Sequence, residues 1–283
     1  MEPLIRNISD TAKWVAVFRA DESERPDAVF NDPFARRLAG IQGEEIANKI
    51  GFSRENSWSF VARTFLFDEF IKHHAEQGYD MIINLAAGLD ARPYRMRLPA
   101  SLQWIEVDLP DILSYKEEIL ANEKPNCALQ RIRQDLSDTK ARKELFKALG
   151  NKSNNALIIS EGLIAYLDED AVGELAQDIA AQKSFKRWVL DLMSPGLLAV
   201  LKKEMGALEE ANMPLKFAPE AGEGFFYRYG WKVLESKSFL KTAAKLKRLS
   251  DEFMKYAEVP EPEGPKGAVP WAGVCLFENR NIV

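Results

Sequence analysis

Several acidic residues occur in the sequence at positions and spacings that suit recognition of a nucleoside. Asp108 lies 20 residues after Gly88, and both follow short apolar runs. A carboxylate at the end of a strand can accept hydrogen bonds from ribose hydroxyls. In nucleotide-binding α/β folds this carboxylate usually lies about 20 residues after a glycine-containing turn. Since Leu109-Pro110-Asp111 starts a predicted helix, a helix cap is the alternative role for Asp108.

The turn that precedes this carboxylate is built from small residues. Ala86, Ala87 and Gly88 follow the first apolar run and let a ligand approach the backbone closely. By itself such a turn also suits an ordinary strand-to-helix connection. The chain has neither a GxGxxG fingerprint nor a GxxxxGK[ST] phosphate loop, which disfavours an NAD-dependent oxidoreductase.

Two more carboxylates follow later apolar runs. Asp135 could accept a hydrogen bond from an adenine amino group while the backbone of Leu136 serves a ring nitrogen; a helix cap is again the alternative. Glu161 lies between apolar segments, where an ionised carboxylate needs a cationic or hydrogen-bonded partner. That partner is either a cationic group of a ligand or a structural arginine.

Strands and helices alternate in the part of the chain that must position these residues. Strands separated by helices of this length predict right-handed βαβ units and a doubly wound, mostly parallel seven-stranded α/β sheet. Ligands of such sheets bind at the carboxyl ends of the strands. The predicted strands are Met81–Leu85, Leu102–Val107, Ala128–Ile132, Ala156–Ile159, Trp188–Leu192, Trp231–Leu234 and Val274–Phe277, and the helices between the earlier ones are Asp111–Asn122, Asp138–Leu149 and Glu169–Gln182.

The residues before the first strand have helical patterning. Ser9 or Asp10 can cap a first helix, Asn31-Asp32-Pro33 predicts a second that begins at Pro33, and a longer helix is expected over about 55–77. We therefore expect a single domain, 1–283. It has a helical lid (1–78), a Rossmann-like core (79–193 and 226–283) and a lid insertion (194–225) before the last two strands.

Composition excludes several classes of partner. The net charge of −5 argues against nucleic acid, and the apolar runs are too short for a membrane helix. Cys127 and Cys275 are far apart and outside any Cys/His cluster, so no metal site is predicted. Both are expected to be buried thiols, which suits a cytoplasmic location.

The motifs together resemble the leucine carboxyl methyltransferase-like family of S-adenosylmethionine (SAM)-dependent methyltransferases, which includes bacterial O-methyltransferases of polyketide type. The resemblance covers roughly residues 9–192, and the matching segments occur in the family's order. They are Thr11-Ala12, Arg19–Glu22, Arg25–Asp27, Asn31–Ala35, Arg63-Thr64, Asn84–Arg95 (NLAAGLDARPYR), Glu106–Pro110 (EVDLP), Asp135-Leu136 and Ser160–Leu167 (SEGLIAYL).

The resemblance implies a class I methyltransferase fold and a cofactor site. It assigns the methionine carboxylate of SAM to Arg63 with Arg19, the methionine moiety to Ala87 and Gly88, the ribose to Asp108, the adenine to Asp135 and Leu136, and the methionine amino end to Glu161. One residue departs from the family pattern: the turn usually reads Leu-Gly-Ala-Gly, and its first glycine is Ala86 in this chain. If that position needs a positive φ, alanine there is strained.

The expected reaction is methyl transfer to an oxygen, leaving S-adenosylhomocysteine. The only histidines, His73 and His74, are adjacent on a predicted helix, so no base is evident. This favours an acceptor that is already anionic, either a carboxylate (on a small molecule or a C-terminus) or an acidic hydroxyl. Tyr94 and Tyr166 are the candidate catalytic residues, with Arg92 and Arg95 as further acceptor-side candidates; each could instead serve packing. A SAM-binding sensor or scaffold without activity is the competing hypothesis.

Overall fold

The computed structural model describes residues 8–49, 57–204, 214–262 and 264–282. Its strands are β1 (Met81–Leu85), β2 (Gln103–Asp108), β3 (Ala128–Arg133), β4 (Ala156–Ser160), β5 (Phe185–Met193), β6 (Trp231–Ser238) and β7 (Ala272–Asn279). They form one seven-stranded sheet in the order β3-β2-β1-β4-β5-β7-β6. The first five strands are parallel, and β7 lies antiparallel between β5 and β6. The predicted α/β doubly wound sheet is confirmed.

Helices cover both faces of this sheet. They are α1 (Ile8–Ser23), α2 (Ala35–Lys49), α3 (Trp58–Glu76), α4 (Arg92–Arg95), α5 (Pro110–Ile119), α6 (Thr139–Gly150), α7 (Glu169–Ala180), α8 (Pro195–Glu204), α9 (Phe239–Lys245) and α10 (Asp251–Glu258), with 3-10 turns at Ile164–Tyr166, Gly222–Tyr229 and Arg280–Ile282. In the described part of the chain, no helix combines the length and apolar content needed to cross a bilayer.

The core consists of two apolar layers, one on each face of the sheet. Alternate residues of a strand point to opposite faces, so Ile82 packs in the layer that contains Phe67 of α3, and Ile83 packs in the layer that contains Phe146 of α6. All five residues of β1 are buried, as expected for a central parallel strand. A third cluster, with Trp14 and Leu38, joins α1 and α2. Both cysteines are buried, as predicted.

The helix starts predicted near the N-terminus are wrong by a few residues. Ser9 and Asp10 lie inside α1, which the structure describes from Ile8. The second helix begins at Ala35 rather than Pro33, because the Asp32 carboxylate accepts the N–H of Phe34 at 3.2 Å and forms a turn first. The third helix begins at Trp58, and residues 55 and 56 of its predicted range lie outside the described residues.

Two helices between β6 and β7 were not predicted. The α9 helix starts where the Ser238 hydroxyl accepts the N–H of Lys241 at 3.3 Å, and α10 follows after a short turn. Within the predicted lid insertion, α8 is described and residues 205–213 lie outside the described part of the chain. The α9 helix packs against α3 and β7, and α10 packs against α9.

The turn after β1 contains the alanine that departs from the family pattern. Ala86 has a φ of 54° and Gly88 a φ of 47°, so both lie in the left-handed region. The Gly88 N–H donates to the Asp108 carboxylate at 2.6 Å, and the Ala87 N–H donates to the Val107 carbonyl at 3.3 Å. The position of Ala86 therefore does require a positive φ, which strains a residue with a Cβ by about 1–2 kcal/mol.

We predict that Ala86→Gly raises the free energy of unfolding by about 1 kcal/mol, because relief of the left-handed strain exceeds the extra freedom that glycine gives the unfolded chain. Urea denaturation at neutral pH measures this. Ala87→Gly is the matched control: Ala87 has no positive φ, so that change should destabilise the fold by about 0.4–1 kcal/mol. Equal destabilisation by both changes would contradict the prediction.

Candidate functional site

A cavity of about 880 Å³ opens at the carboxyl edge of the sheet. Asn84, Asp108, Glu161 and Asp191 line it from the ends of β1, β2, β4 and β5. Residues of α1 and α3 also line it. Because β1 and β4 are neighbours whose connections run to opposite sides, this is the switch point at which α/β sheets bind ligands.

Asp108 is held by the backbone on both sides. Its Oδ2 accepts the Gly88 N–H at 2.6 Å and its Oδ1 accepts the Leu109 N–H at 2.7 Å. Burial raises the pKa of this carboxyl, although the two hydrogen bonds lower it. A carboxylate has about four lone-pair positions, so both oxygens keep acceptor capacity toward the cavity. This arrangement fits two adjacent ribose hydroxyls.

Gly88 leaves room beside that carboxylate. A Cβ at this position would lie 3.4 Å from the Cβ of Ala12 on α1, so any side chain would narrow the passage between the turn and the helix. Glycine thus serves two purposes here: it adopts the positive φ, and it leaves open space beside the turn.

Arg63 on α3 lies between two carboxylates from neighbouring strands. Its Nε is 3.2 Å from Oε1 of Glu161, and its Nη1 donates to Oδ2 of Asp191 at 3.3 Å. The buried Nε has no partner with good hydrogen-bond geometry. Asp191 also accepts the Gly162 N–H at 2.7 Å, and burial raises its pKa although Arg63 lowers it. A zwitterionic amino-acid group, with one cationic and one anionic end, fits this pair of charges.

Arg92 at the start of α4 is almost fully buried and connects three acidic groups. It donates to Asp68 at 2.6 Å, to Asp90 at 3.0 Å and to Glu161 at 2.7 Å. Burial raises the pKa of Asp90, but the charges of Arg92, Lys116 and Arg95, together with the hydrogen bond from the Arg92 N–H, outweigh burial and leave the pKa at about 2. Arg95 donates to both oxygens of Asp68 at 2.7 Å. The two arginines thus stabilise buried carboxylates, and Arg95 is absent from the described cavity wall.

Arg19 on α1 lines the cavity but is engaged by the protein. Its Nε donates to Asp32 at 2.9 Å and its Nη2 donates to the Leu89 carbonyl at 2.7 Å. The side chain is 10% exposed. It therefore fastens α1 to the turn after β1, and a contact with a ligand carboxylate stays a prediction.

The two candidate tyrosines lie in different places. Tyr166 lines the cavity, its hydroxyl hydrogen-bonds with Thr11, and burial raises its pKa. Tyr94 is not among the lining residues; its hydroxyl accepts a hydrogen bond from Arg131 at 2.8 Å, and its ring packs edge-on against Phe34. Only Tyr166 is positioned to contact a molecule in the cavity as it stands.

Asp135 and Leu136 follow β3 at the same edge of the sheet but outside the cavity wall. Asp135 is exposed and accepts the Ser137 N–H at 2.8 Å, while the Leu136 carbonyl accepts from Arg142 at 2.8 Å. The preceding residue, Gln134, donates its N–H to the Asp108 carbonyl at 2.9 Å. The pair is thus next to the ribose-binding candidate, and an adenine contact stays a prediction.

Sequence reasoning missed Asp191. Its signal was present, because it lies near the end of a predicted strand, Trp188–Leu192, in the same way that Asp108 ends β2. Its contacts with Arg63 and Gly162 depend on tertiary placement and could not be inferred. Neither histidine lines the cavity: His74 is buried beside Tyr79 and hydrogen-bonds the Phe70 carbonyl, and His73 is exposed.

Solved structures with similar folds support this architecture. A DUF574 family protein from Streptomyces avermitilis aligns with a TM-score of 0.59 at 12% identity, covering 94% of this chain and 96% of that one. A protein from Thermobifida fusca, described as a methyltransferase, aligns with a TM-score of 0.57 at 14% identity over 99% and 97% of the two chains. At these identities the likeness shows the fold alone.

Sequence comparison is more specific. Residues 12–180 match the family model described as leucine carboxyl methyltransferase. Two relatives, each named as a SAM-dependent methyltransferase, are similar over most of the chain. The one from Streptomyces coelicolor is 32% identical over 79% of this chain and 82% of its own; the one from a Parafrankia species is 31% identical over 76% and 69%. The chain therefore belongs to the leucine carboxyl methyltransferase family, a family of SAM-dependent methyltransferases.

Proposed function

We propose that this methyltransferase transfers the methyl group of SAM to an oxygen, either of a carboxylate or of an acidic hydroxyl, on a small molecule or a C-terminal carboxylate. The observation that carries the proposal is the composition of the cavity wall. Its described residues include no histidine, and its lysine, Lys241, donates to the carbonyls of Ala257 and Val259 at 2.7 Å each. An acceptor that is already anionic needs no protein base.

The carboxylates at the cofactor end are poor substitutes for such a base. Glu161 pairs with Arg63 and Arg92, and Asp108 accepts two backbone hydrogen bonds. Asp191 accepts from Gly162 and Arg63. These contacts hold each group in place and favour binding and orientation over proton transfer.

The bound cofactor supplies a methyl group that is already activated on a sulfonium, so the protein mainly aligns the reactants and excludes water. In this proposal Arg63 binds the methionine carboxylate, Glu161 the amino end, and Asp108 the ribose, with adenine extending toward Asp135 and Leu136. The helical lid (1–78) stays a prediction; from its described part, Trp14 of α1 and Phe60 of α3 pack with ring centroids 5.3 Å apart and both line the cavity.

Cofactor binding can be tested without turnover. We predict that Asp108→Ala and Glu161→Gln each weaken binding of S-adenosylhomocysteine by about 1–3 kcal/mol, because buried polar groups lose their partners. Isothermal titration calorimetry measures the affinity, and circular dichroism checks the fold. Asp170→Ala, an exposed carboxylate in the first turn of α7, is the control and should bind normally. Unchanged affinity in a folded Asp108→Ala protein would remove this residue from the site.

The two tyrosines make opposite predictions. Tyr166→Phe should lower kcat/KM about three- to tenfold, the effect of one lost hydrogen bond of about 1 kcal/mol to the acceptor oxygen. Tyr94→Phe should leave kcat/KM unchanged and lower the free energy of unfolding by about 1 kcal/mol, because Arg131 loses an acceptor. Steady-state kinetics and urea denaturation on both variants separate the roles, and the reverse pattern would contradict the assignment.

The oxygen preference is tested by measuring S-adenosylhomocysteine release over acceptors of four classes: carboxylic acids, phenols and enols, amines, and thiols. We expect turnover with the first two classes, and rates that rise with pH until the acceptor is ionised. Turnover confined to amines or thiols would contradict oxygen methylation. Tight cofactor binding with no turnover on any class would instead favour the sensor or scaffold hypothesis.

A further inference from the structure

The cavity has two chemically different halves. The cofactor half contains Arg63, Asp108, Glu161 and the other charged groups described above. The remaining half, which we call the apolar half, is bounded by α8, α9, α10 and the segment before β7. Its wall includes Leu197, Leu201, Leu240, Phe253, Pro260 and Trp271.

Two charged side chains of the apolar half, Lys241 and Glu261, already have intramolecular partners. Lys241 donates to two backbone carbonyls at 2.7 Å, and the Glu261 carboxylate accepts from the indole N–H of Trp271 at 3.2 Å. A peptide bound here would leave its own amide groups without partners, which is unfavourable in an apolar site. Hydrocarbon fits this half better than a peptide backbone.

The wall of this half continues onto an exposed rim, defined here by Val200, Tyr256, Val259 and Val269. These side chains are 38%, 62%, 58% and 46% exposed, and all four also line the cavity. They come from three separate segments, yet make up four of the seven exposed large hydrophobic residues in the described part of the chain. Scattered apolar side chains are ordinary on a surface, but a cluster at a cavity mouth marks a binding site.

We propose that the apolar half and its rim bind the body of the methyl acceptor, which is an elongated amphipathic molecule: a hydrocarbon or aryl-alkyl chain that carries one acidic oxygen at its end. The acidic end points toward the cofactor half and the tail extends to the rim. Continuity between the cavity wall and the rim favours one long ligand over a protein partner at the surface. This inference rests on the proposed oxygen methylation and narrows its substrate to one class.

The test uses two probe series, 4-alkylphenols from methyl to octyl and linear alkanoates from hexanoate to dodecanoate. Affinity for each is measured by calorimetry on the protein saturated with S-adenosylhomocysteine, so that no turnover is needed. In at least one series the Kd should fall about two- to fourfold per added methylene, as burial of hydrocarbon predicts, until the tail passes the rim. A Kd independent of chain length in both series would overturn the proposal.

Rim variants locate the tail. Tyr256→Ser and Val269→Ser should raise the Kd of the longest probes about three- to tenfold. The Kd values of the shortest probes and of S-adenosylhomocysteine should not change. Tyr227→Ser and Leu234→Ser are matched controls, because these side chains are 49% and 43% exposed but do not line the cavity. Equal weakening by controls and rim variants would overturn the assignment of the rim. So would a dimer, detected by size exclusion, that only the rim variants dissociate.

Failure of this inference can be told apart from failure of the proposed function. Chain-length-dependent binding without methyl transfer to any probe supports the amphipathic site and contradicts oxygen methylation. If short acids or phenols are methylated but added methylenes do not increase affinity, oxygen methylation is supported and the proposal of an amphipathic acceptor is overturned.

Discussion

Carboxylates buried at the edge of a sheet require cationic partners, and Arg92 is the partner on which this site depends. It joins Asp68 of α3, Asp90 of the first turn and Glu161 after β4. These groups come from three separate parts of the chain, so one guanidinium fixes the position of α3 relative to the carboxyl edge of the sheet. A buried pair of this kind adds little net stability, but loss of one partner leaves an uncompensated charge. Its contribution is therefore mainly to position.

The sequence predicted what local patterns control. Apolar runs between helices identified the strands, since buried parallel strands need continuous hydrophobic residues. The interval between Gly88 and Asp108 identified a carboxylate that does reach the cavity. The helix starts were less predictable, because the Asp32 carboxylate accepts hydrogen bonds from the Arg19 side chain and the Phe34 N–H in the folded chain. The unpredicted α9 and α10 are short helices, whose periodicity is too brief to be distinguished from a loop.

Side-chain direction could not be predicted at all. Tyr94 and Tyr166 both follow strands and were equally plausible as acceptor-side residues. The Tyr94 hydroxyl accepts a hydrogen bond from Arg131 on β3 and does not line the cavity, whereas Tyr166 lies in the cavity wall and hydrogen-bonds with Thr11. Glu161 also had two interpretations, a ligand's cation or a structural arginine. It pairs with Arg63 and Arg92, so the arginine interpretation is correct for the protein itself, and a contact with a ligand stays a prediction.

The position of β7 has a consequence for how the chain acquires its structure. This strand lies between β5 and β6, although it is the last of the seven in sequence, and Asn279 at its end donates to the carbonyls of Ala180 and Phe185 at 3.1 Å each. During synthesis on the ribosome, the edge of β5 must wait, with its backbone groups unpaired, until β7 has emerged. Exposed edges of this kind recruit strands from other chains. Chains that end before β7 therefore expose an unpaired edge of β5, which favours aggregation.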